Sequence, residues 1–257
     1  MEKTVLIILP AYNEEASLAG VIREIKAAPL YDVSDVLIIN DGSTDDTARI
    51  AWNCGVLVLT HIYNMGYGSA LQTGYKYAVR HGYRYVLQLD SDGQHSVNNL
   101  QVMLERLLDP YREPVDILLG SRFLPGSQSF PISKSKMIAI KFFRRLITLA
   151  TGRAITDPTS GLQALSERAI EFYARYNNFH YEYPDTNMII QMLLNDFRIE
   201  EFPAIMHERK AGVSMHSGLR PLIYAFKMTL STVIIILREK IAHRRKARKA
   251  VRAKVPA

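Results

Sequence analysis

The first 120 residues alternate short aliphatic runs with segments of helical length, and this alternation constrains the fold more than any other feature of the chain. Such runs are typical of strands that are buried on both faces of a parallel sheet. The pattern predicts a doubly wound α/β domain, which binds ligands at the carboxyl ends of its strands. The predicted strands are Val5–Leu9, Val36–Ile39, Val56–Leu59, Tyr85–Leu89 and Ile117–Leu119. The predicted helices between them are Glu14–Ala27, Asp45–Trp52, Gly68–Arg80 and Val97–Leu108.

After Arg122 the alternation weakens and helical patterns predominate. A basic helix is predicted over Ile132–Ala150, with apolar residues at helical spacing. The remaining predicted elements are helices at Glu167–Tyr176 and Tyr183–Asn195, a short strand at Arg198–Glu201, a polar segment at His207–His216 and a long helix from Leu219 to Ala247. We therefore expect an α/β domain over residues 1–216 and a separate segment, an amphipathic helix with a basic tail, over residues 217–257.

The net charge of +7 is concentrated in the last 20 residues. Residues 238–257 contain nine basic residues and one acidic residue, Glu239, so this segment carries +8 and residues 1–237 carry −1. A neutral body without a basic stripe disfavours a nucleic-acid-binding protein. The single cysteine, Cys54, excludes an intramolecular disulfide framework and a multi-cysteine zinc site.

Polar residues follow three of the predicted strands directly. The most informative pair is Asp90 and Asp92, because two carboxylates one residue apart at a strand end can both face a divalent ion. A calcium loop of the EF-hand type is disfavoured, since the twelfth position from Asp90 is Gln101 and a strand precedes the loop. Turn formation and helix capping are the alternative roles for all three loops, and we expect that role for residues 43–46.

The segment Asn64–Leu71 contains two glycines in the pattern of a phosphate-binding loop. Leu71 stands where a dinucleotide fingerprint has its third glycine, and the Gly-Lys-Ser/Thr of a P-loop is absent. These departures disfavour a nicotinamide enzyme and an NTPase. We expect the glycines to let a helix begin close to a nucleotide or to the sheet.

Eight short motifs occur in a fixed order along residues 3–216. They are Pro10-Ala11-Tyr12-Asn13-Glu14, Asn40-Asp41-Gly42-Ser43-Thr44-Asp45, Asn64-x-Gly66-x-Gly68-x-Ala70-Leu71, Asp90-Ser91-Asp92, Gly120-Ser121-Arg122-Phe123, Asp157-Pro158-Thr159-Ser160-Gly161, Glu201-Phe202-Pro203 and Arg209-x-x-Gly212-x-Ser214. As an ordered set they resemble the family 2 glycosyltransferases. The last four resemble the branch that contains dolichol-phosphate mannose synthase and the bacterial polyprenyl-phosphate transferases. The resemblance implies a GT-A fold, a Rossmann-like nucleotide-sugar-binding domain with a mostly parallel sheet flanked by helices.

The resemblance also implies roles for individual residues. It assigns donor binding to Pro10, Tyr12, Glu14, Asp41, Asp90 and Ser91, and it assigns a Mg²⁺ or Mn²⁺ ion to Asp90, Asp92 and Gln94. It assigns acceptor or phosphate binding to Arg122, Arg209 and Ser214, and catalytic roles to Asp92 and Asp157. For Asp157 the role stays open: it is a base for a hydroxyl acceptor, or, with a phosphate acceptor, a group that orients the acceptor or stabilises positive charge on the sugar. Capping of the loop before Pro158 is the structural alternative.

Two departures from the mannose-synthase pattern bear on the donor. Met215 and His216 stand where that pattern has a lysine, and Leu162-Gln163 stands where it has an arginine. We therefore expect a UDP-hexose in preference to GDP-mannose.

Apolar residues recur at three- and four-residue steps from Leu219 to Ile241, but the charge-free stretch Met228–Leu237 has only ten residues. A bilayer-spanning helix needs about 18–20. Packing on the protein's own core and lying in a membrane surface beside the basic tail are both open for this helix. A small membrane protein is a further expected partner, and no nucleic acid is expected.

The sequence as a whole predicts a peripheral, inverting glycosyltransferase on the cytoplasmic face of the membrane. It would transfer a sugar from a nucleotide diphosphate to a polyprenyl phosphate such as undecaprenyl or dolichyl phosphate. Transfer to a sugar hydroxyl in surface-polysaccharide synthesis is the alternative. A nucleic-acid-binding protein that uses the basic tail is the less favoured one.

Overall fold

A computed structural model describes residues 4–181, 184–208 and 227–239. The strands in these ranges are β1 (Val5–Ala11), β2 (Ser34–Asn40), β3 (Leu57–Thr60), β4 (Tyr85–Gln88), β5 (Ile117–Ser121), β6 (Gln163–Ser166) and β7 (Ile199–Pro203). The α-helices are α1 (Leu18–Ala27), α2 (Thr47–Asn53), α3 (Tyr67–Arg80), α4 (Asn98–Leu108), α5 (Lys134–Thr151), α6 (Glu167–Ala174), α7 (Thr186–Leu194) and α8 (227–239). A short 3-10 helix at Pro29–Val33 precedes β2.

The seven strands form one sheet in the order β3-β2-β1-β4-β6-β5-β7. Strands β3, β2, β1 and β4 are parallel, and β5 is parallel to β7. Strand β6 lies between β4 and β5 and is antiparallel to both. The predicted α/β class with a mostly parallel sheet is confirmed.

Helices cover both faces of the sheet, so its central strands are buried on each side. In β1, Val5, Ile7 and Leu9 belong to the hydrophobic cluster that α1 and α4 complete. The alternate residues Leu6 and Ile8 belong to the cluster on the other face, with residues of α3, α6 and α7. Because successive side chains of a strand point to opposite faces, they pack alternately into the two hydrophobic clusters. This explains why these runs are continuously apolar.

Strand β6 was not predicted from the sequence. Its four residues are polar at both ends, and only Ala164 and Leu165 are fully buried. Its backbone is ordered by hydrogen bonding to β4 and β5 on its two sides, which no local pattern shows.

Helix α1 begins at Leu18, four residues later than predicted. The preceding backbone amides bind side chains of the next loop instead: Asn13 N donates to Ser43 Oγ and Glu14 N donates to Thr47 Oγ1. Asn13 also has a positive φ of 55°, which a helix does not allow. The β1 loop is thus shaped by its neighbour at the sheet edge.

Helix α5 has apolar residues at helical spacing on two faces, and only one of these faces is buried. Ile140, Phe143 and Ile147 face the core, whereas Ile138, Phe142 and Leu149 are exposed, beside basic residues. The exposed stripe of α5 is defined here as Lys134, Ile138, Lys141, Phe142, Arg145 and Leu149. This helix therefore presents an apolar and basic face to its surroundings.

Helix α8 is apolar on two faces. Met228, Thr232 and Ile235 are buried, so one face packs on the protein's own core. The opposite side exposes Leu230, Val233, Ile234 and Leu237, which we name the exposed stripe of α8. Among the described residues there is no helix with the length and hydropathy to cross a membrane.

Candidate active site

The loops after β1 and β2 are tied together at the carboxyl edge of the sheet. Thr44 N donates to Asn13 Oδ1 at 2.9 Å, and Glu15 N donates to Asp45 Oδ2 at 3.2 Å. Asp45 Oδ1 also accepts from Thr47 N at 3.0 Å, which closes a turn before α2, whereas the side chain of the N-cap residue, Asp46, makes no capping hydrogen bond. Burial tends to raise the pKa of Asp45, but the hydrogen bonds from Thr47 and Glu15 outweigh it and lower that pKa.

Three of the predicted donor-binding residues lie on β1 and the loop that follows it. Pro10 is within β1, and its carbonyl accepts a hydrogen bond from Ser91 Oγ at 2.8 Å. Tyr12 projects from the loop with 45% of its surface exposed, so its ring is available for a flat ligand. The Glu14 carboxylate accepts from Ser17 Oγ at 2.8 Å.

Asp41, at the end of β2, is buried and anchors the glycine-rich segment. Its Oδ1 accepts from Met65 N at 2.9 Å and its Oδ2 accepts from Gly66 N at 2.8 Å. His61 Nδ1 lies 2.7 Å from Oδ1, and His61 Nε2 lies 2.9 Å from Thr73 Oγ1 on α3. Asp41 thus joins the ends of β2 and β3 to helix α3, and its contact with a nucleoside stays a prediction.

Gly68, at the start of α3, lies against the backbone of another segment. A Cβ at Gly68 would lie 2.3 Å from the carbonyl oxygen of His180 and 2.5 Å from that of Tyr181. A Cβ at Gly74, farther along α3, would press on Ile8 and Ile39 of the sheet. The absence of side chains lets α3 begin against the 180–181 segment at Gly68 and pack close to the sheet at Gly74. The sequence predicted the nucleotide or the sheet as the neighbour of Gly66 and Gly68, and the sheet contact belongs to Gly74 instead.

The loop after β4 carries the predicted metal residues. Asp90 keeps 31% of its side chain exposed, and its Oδ1 accepts from Tyr67 Oη at 2.9 Å. Asp92 is buried, and its Oδ1 accepts from Gln94 N at 3.0 Å. His95 Nε2 lies 3.6 Å from Asp90 Oδ2. The loop therefore presents two carboxylates beside the β1 end, to which Ser91 ties it.

A buried ion pair lies at the end of β5. Arg122 donates from Nε to Asp157 Oδ2 at 2.6 Å and from Nη2 to Asp157 Oδ1 at 2.7 Å, a bidentate pair. Asp157 is fully buried and the arginine side chain is 10% exposed. Burial opposes the charge on Arg122, but its hydrogen bonds to Asp157 and the nearby carboxylates outweigh this, so the pKa of the guanidinium is raised.

Glu201 supports this pair from β7. Its carboxylate accepts from the backbone amides of Thr156 and Asp157, at 2.7 Å and 2.9 Å, and from Thr156 Oγ1 at 2.8 Å. The Arg122 guanidinium also donates to Thr159 Oγ1 at 2.8 Å. Two of the motifs quoted above, on β7 and before β6, therefore meet around the arginine.

The oxygen ligands at this edge fit a hard divalent ion. Asp90, Asp92 and Gln94 offer carboxylate and amide oxygens, which Mg²⁺ and Mn²⁺ accept. Within the described residues no group of three or more His, Cys, Asp or Glu forms a metal cluster. Two carboxylates and one amide fill only part of an octahedral coordination sphere, and substrate phosphates and water commonly fill the rest around Mg²⁺.

The structure brings most of the predicted site residues to one edge of the sheet, at the ends of β1, β2, β4 and β5. Arg209 and Ser214 lie outside the described residues. Sequence reasoning missed His61, Tyr67 and Gln88. Their contacts span 12 to 73 residues of sequence and leave no local signal.

A mostly parallel sheet with polar loops gathered at the carboxyl ends of its strands defines an α/β domain of the nucleotide-binding class. The family model described as Glycosyl transferase family 2 matches residues 6–174. The chain belongs to this family.

Curated relatives cover most of the chain. An undecaprenyl-phosphate mannosyltransferase of Micrococcus luteus is 31% identical over 227 residues, which is 83% of this chain and 88% of the relative. A UDP-N-acetylglucosamine–dolichyl-phosphate N-acetylglucosaminyltransferase of Methanococcus voltae is 26% identical, over 66% of this chain and 72% of the relative. Among solved structures, glucosyl-3-phosphoglycerate synthase from Mycobacterium tuberculosis, in complex with Mn²⁺ and UDP-glucose, has a TM-score of 0.63 at 20% identity. That match covers 91% of this chain and 79% of the other.

Proposed function

We propose that this protein is a metal-dependent glycosyltransferase that moves a sugar from a nucleotide diphosphate to a polyprenyl phosphate. The observation that carries the proposal is the juxtaposition, at one sheet edge, of the Asp90–Asp92 carboxylates with the buried Arg122–Asp157 pair. The two aspartates suit a divalent ion that also binds the diphosphate of the donor. In the second pair, Asp157 holds the Arg122 guanidinium beside them. Relatives whose names specify polyprenyl-phosphate acceptors support the choice of acceptor.

In the donor half of the site, Tyr12 and the Asp41-anchored loop flank the nucleoside. Asp90, Asp92 and Gln94 would hold the divalent ion. When bound, that ion would neutralise the charge that builds on the leaving nucleoside diphosphate. Ser91 fixes the β4 loop to β1 through the Pro10 carbonyl, so the diphosphate and the nucleoside subsites keep a constant separation. A UDP-hexose is the favoured donor.

In the acceptor half, a phosphate oxygen attacks the anomeric carbon in one inverting step. An anionic nucleophile does not need a base to remove a proton, and Asp157 has both oxygens hydrogen bonded to Arg122. Asp157 therefore acts as the fixed counter-ion that holds the guanidinium in place. Arg122 places positive charge beside the site, with Arg209 and Ser214 as further phosphate contacts.

An acceptor assay tests this function. Purified protein with Mn²⁺, a panel of UDP- and GDP-sugars and a short-chain polyprenyl phosphate should yield a glycolipid. The same prenyl chain ending in a free hydroxyl is the matched control and should yield none. Transfer to a sugar hydroxyl with no product on the phosphate would establish the polysaccharide alternative and refute the proposal. Nucleotide preference follows independently from thermal stabilisation by UDP and by GDP with Mn²⁺.

The acceptor's location in a bilayer gives a role to the two exposed stripes. The stripe of α5 interleaves Ile138, Phe142 and Leu149 with basic residues, and α5 contains no acidic residue. Basic residues beside apolar ones favour binding to an anionic lipid surface, at about 1 kcal/mol for each Lys or Arg near it.

We assign residues 1–216 to the catalytic domain and residues 217–257 to membrane association. The proposed location is the cytoplasmic face of the membrane, and a small membrane protein is a further proposed partner.

Vesicle binding tests the stripe of α5. Changing both Phe142 and Leu149 to glutamate should weaken binding to vesicles of phosphatidylglycerol and phosphatidylcholine at least about 10-fold, because two apolar side chains are lost and two negative charges are added that the anionic lipid repels. Co-sedimentation measures it. The control variant changes Val102 to glutamate, a 46% exposed apolar residue on α4, and should bind as the parent does. Equal binding by the parent, the double variant and the control variant would show that α5 does not contact the membrane.

A further inference from the structure

A chain of buried hydrogen bonds leads from the protein core to the Asp90 carboxylate. Tyr75, a fully buried residue of α3, bonds to Gln88 at the end of β4. Gln88 Nε2 lies 2.8 Å from the Gly161 carbonyl oxygen and 3.3 Å from Tyr67 Oη. Tyr67 Oη lies 2.9 Å from Asp90 Oδ1. The roles assigned to the site above use Asp90 but none of the groups behind it.

The direction of every bond in this chain is fixed by its chemistry. A carbonyl oxygen only accepts, so the Gln88 amide must turn its nitrogen toward Gly161 and its oxygen toward Tyr75. Tyr75 therefore donates to Gln88. The second proton on Gln88 Nε2 points to Tyr67 Oη, which leaves the Tyr67 proton for Asp90. Tyr67 is thus held as a donor to the carboxylate.

Geometry alone holds Tyr67 as a donor, because its oxygen accepts from Gln88 Nε2 at 3.3 Å and its proton is directed to Asp90 Oδ1 at 2.9 Å. On the other side of the carboxylate, a Cβ at Gly161 would lie 2.7 Å from Asp90 Oδ2. The Asp90 carboxylate is therefore hydrogen bonded on one side and packed against backbone on the other.

We propose that Tyr67 is a positioning residue that fixes the plane of the Asp90 carboxylate for the divalent ion of the donor complex. The inference rests on the proposed function, since it concerns the ion that Asp90 and Asp92 would hold. Groups that hydrogen bond to metal-binding carboxylates orient them, and losing such a group typically weakens metal binding by about 10- to 100-fold. The hydroxyl reaches the ion only through Asp90.

Replacing Tyr67 by phenylalanine tests the inference, because the ring remains and only the hydroxyl is lost. Mn²⁺ is titrated into the protein with UDP or GDP present, whichever stabilises the parent more, and free Mn²⁺ is followed by electron paramagnetic resonance. We expect the Kd for Mn²⁺ to rise about 10-fold. In turnover assays, the Mn²⁺ concentration for half-maximal rate should rise similarly, and kcat should recover at saturating Mn²⁺.

Tyr83→Phe is the matched control. Tyr83 Oη donates to Asp35 Oδ2 at 2.7 Å, so this variant also removes a tyrosine hydroxyl from an aspartate, but at the amino edge of the sheet. Its Mn²⁺ affinity should equal that of the parent. An unchanged Mn²⁺ affinity in Tyr67→Phe, or an equal loss in both variants, would overturn the inference while leaving the proposed function intact. A parent protein that binds no Mn²⁺ with either nucleotide would overturn both.

Discussion

Replacing Asp92 by asparagine is expected to lower kcat/KM for the nucleotide sugar by at least about 100-fold. Removing one group that stabilises developing charge in a water-poor site typically costs 10² to 10³ in turnover. Asp92 is 7% exposed, so solvent cannot supply a substitute ligand readily. Asparagine keeps the Oδ1 atom that accepts from Gln94 N, and the loop should therefore fold as before while the negative charge is lost. Initial rates at several Mn²⁺ concentrations measure the effect.

Asp109→Asn provides the matched control for this variant. Asp109 Oδ1 accepts from the backbone amide of Tyr111 at 2.9 Å, the same two-residue turn that Asp92 makes with Gln94. It follows α4, at the edge of the sheet opposite the site. Its kcat/KM should equal that of the parent. An Asp92→Asn protein with the parent's rate and melting temperature would show that the β4 loop does not carry the metal chemistry.

The strand ends could be predicted from sequence because parallel strands are short, apolar and terminated by polar residues. Asp90 and Asp92 follow β4 directly, so fold class alone places them at the carboxyl edge. The side chains that hydrogen bond to the residues at the strand ends could not be predicted in this way. Tyr67 reaches Asp90 across 23 residues, and His61 reaches Asp41 across 20. Which side chains approach a strand end depends on how α3 packs on the sheet, and a single sequence does not encode that locally.

Arg122 and Asp157 were both identified from the sequence, but their pairing was not. Each residue was identified through a motif, and each was assigned an independent role in binding or catalysis. In the structure they form one bidentate pair, held by Glu201 from a third element. Sequence motifs identify the residues of the site, but they do not show which of these residues form hydrogen bonds or ion pairs with each other. Helix α5 illustrates it as well, since its period was predicted correctly but the outward direction of Phe142 came only from packing.

The buried pair leads to the second large effect, this time on folding. Replacing Arg122 by methionine should lower the free energy of unfolding by about 3–5 kcal/mol, because it leaves the Asp157 carboxylate buried without its partner. Asp157→Leu should be similarly destabilising, because it leaves the Arg122 guanidinium buried without its partner. Urea unfolding followed by circular dichroism measures both. Arg198→Met is the control: its ion pair with Glu113 is exposed on both sides, and such pairs contribute little.

The double variant Arg122→Met/Asp157→Leu separates charge pairing from packing. If the single losses come from an uncompensated buried charge, the double variant should lose clearly less than the sum of the two, because neither charge remains. Additive losses would mean that each side chain acts alone and that Asp157 does not hold Arg122. Glycosyl transfer should be lost in the double variant even where folding is retained, since the proposed acceptor half of the site depends on the guanidinium. A folded double variant that still glycosylates polyprenyl phosphate would remove Arg122 from the acceptor site and leave the pair a purely structural role.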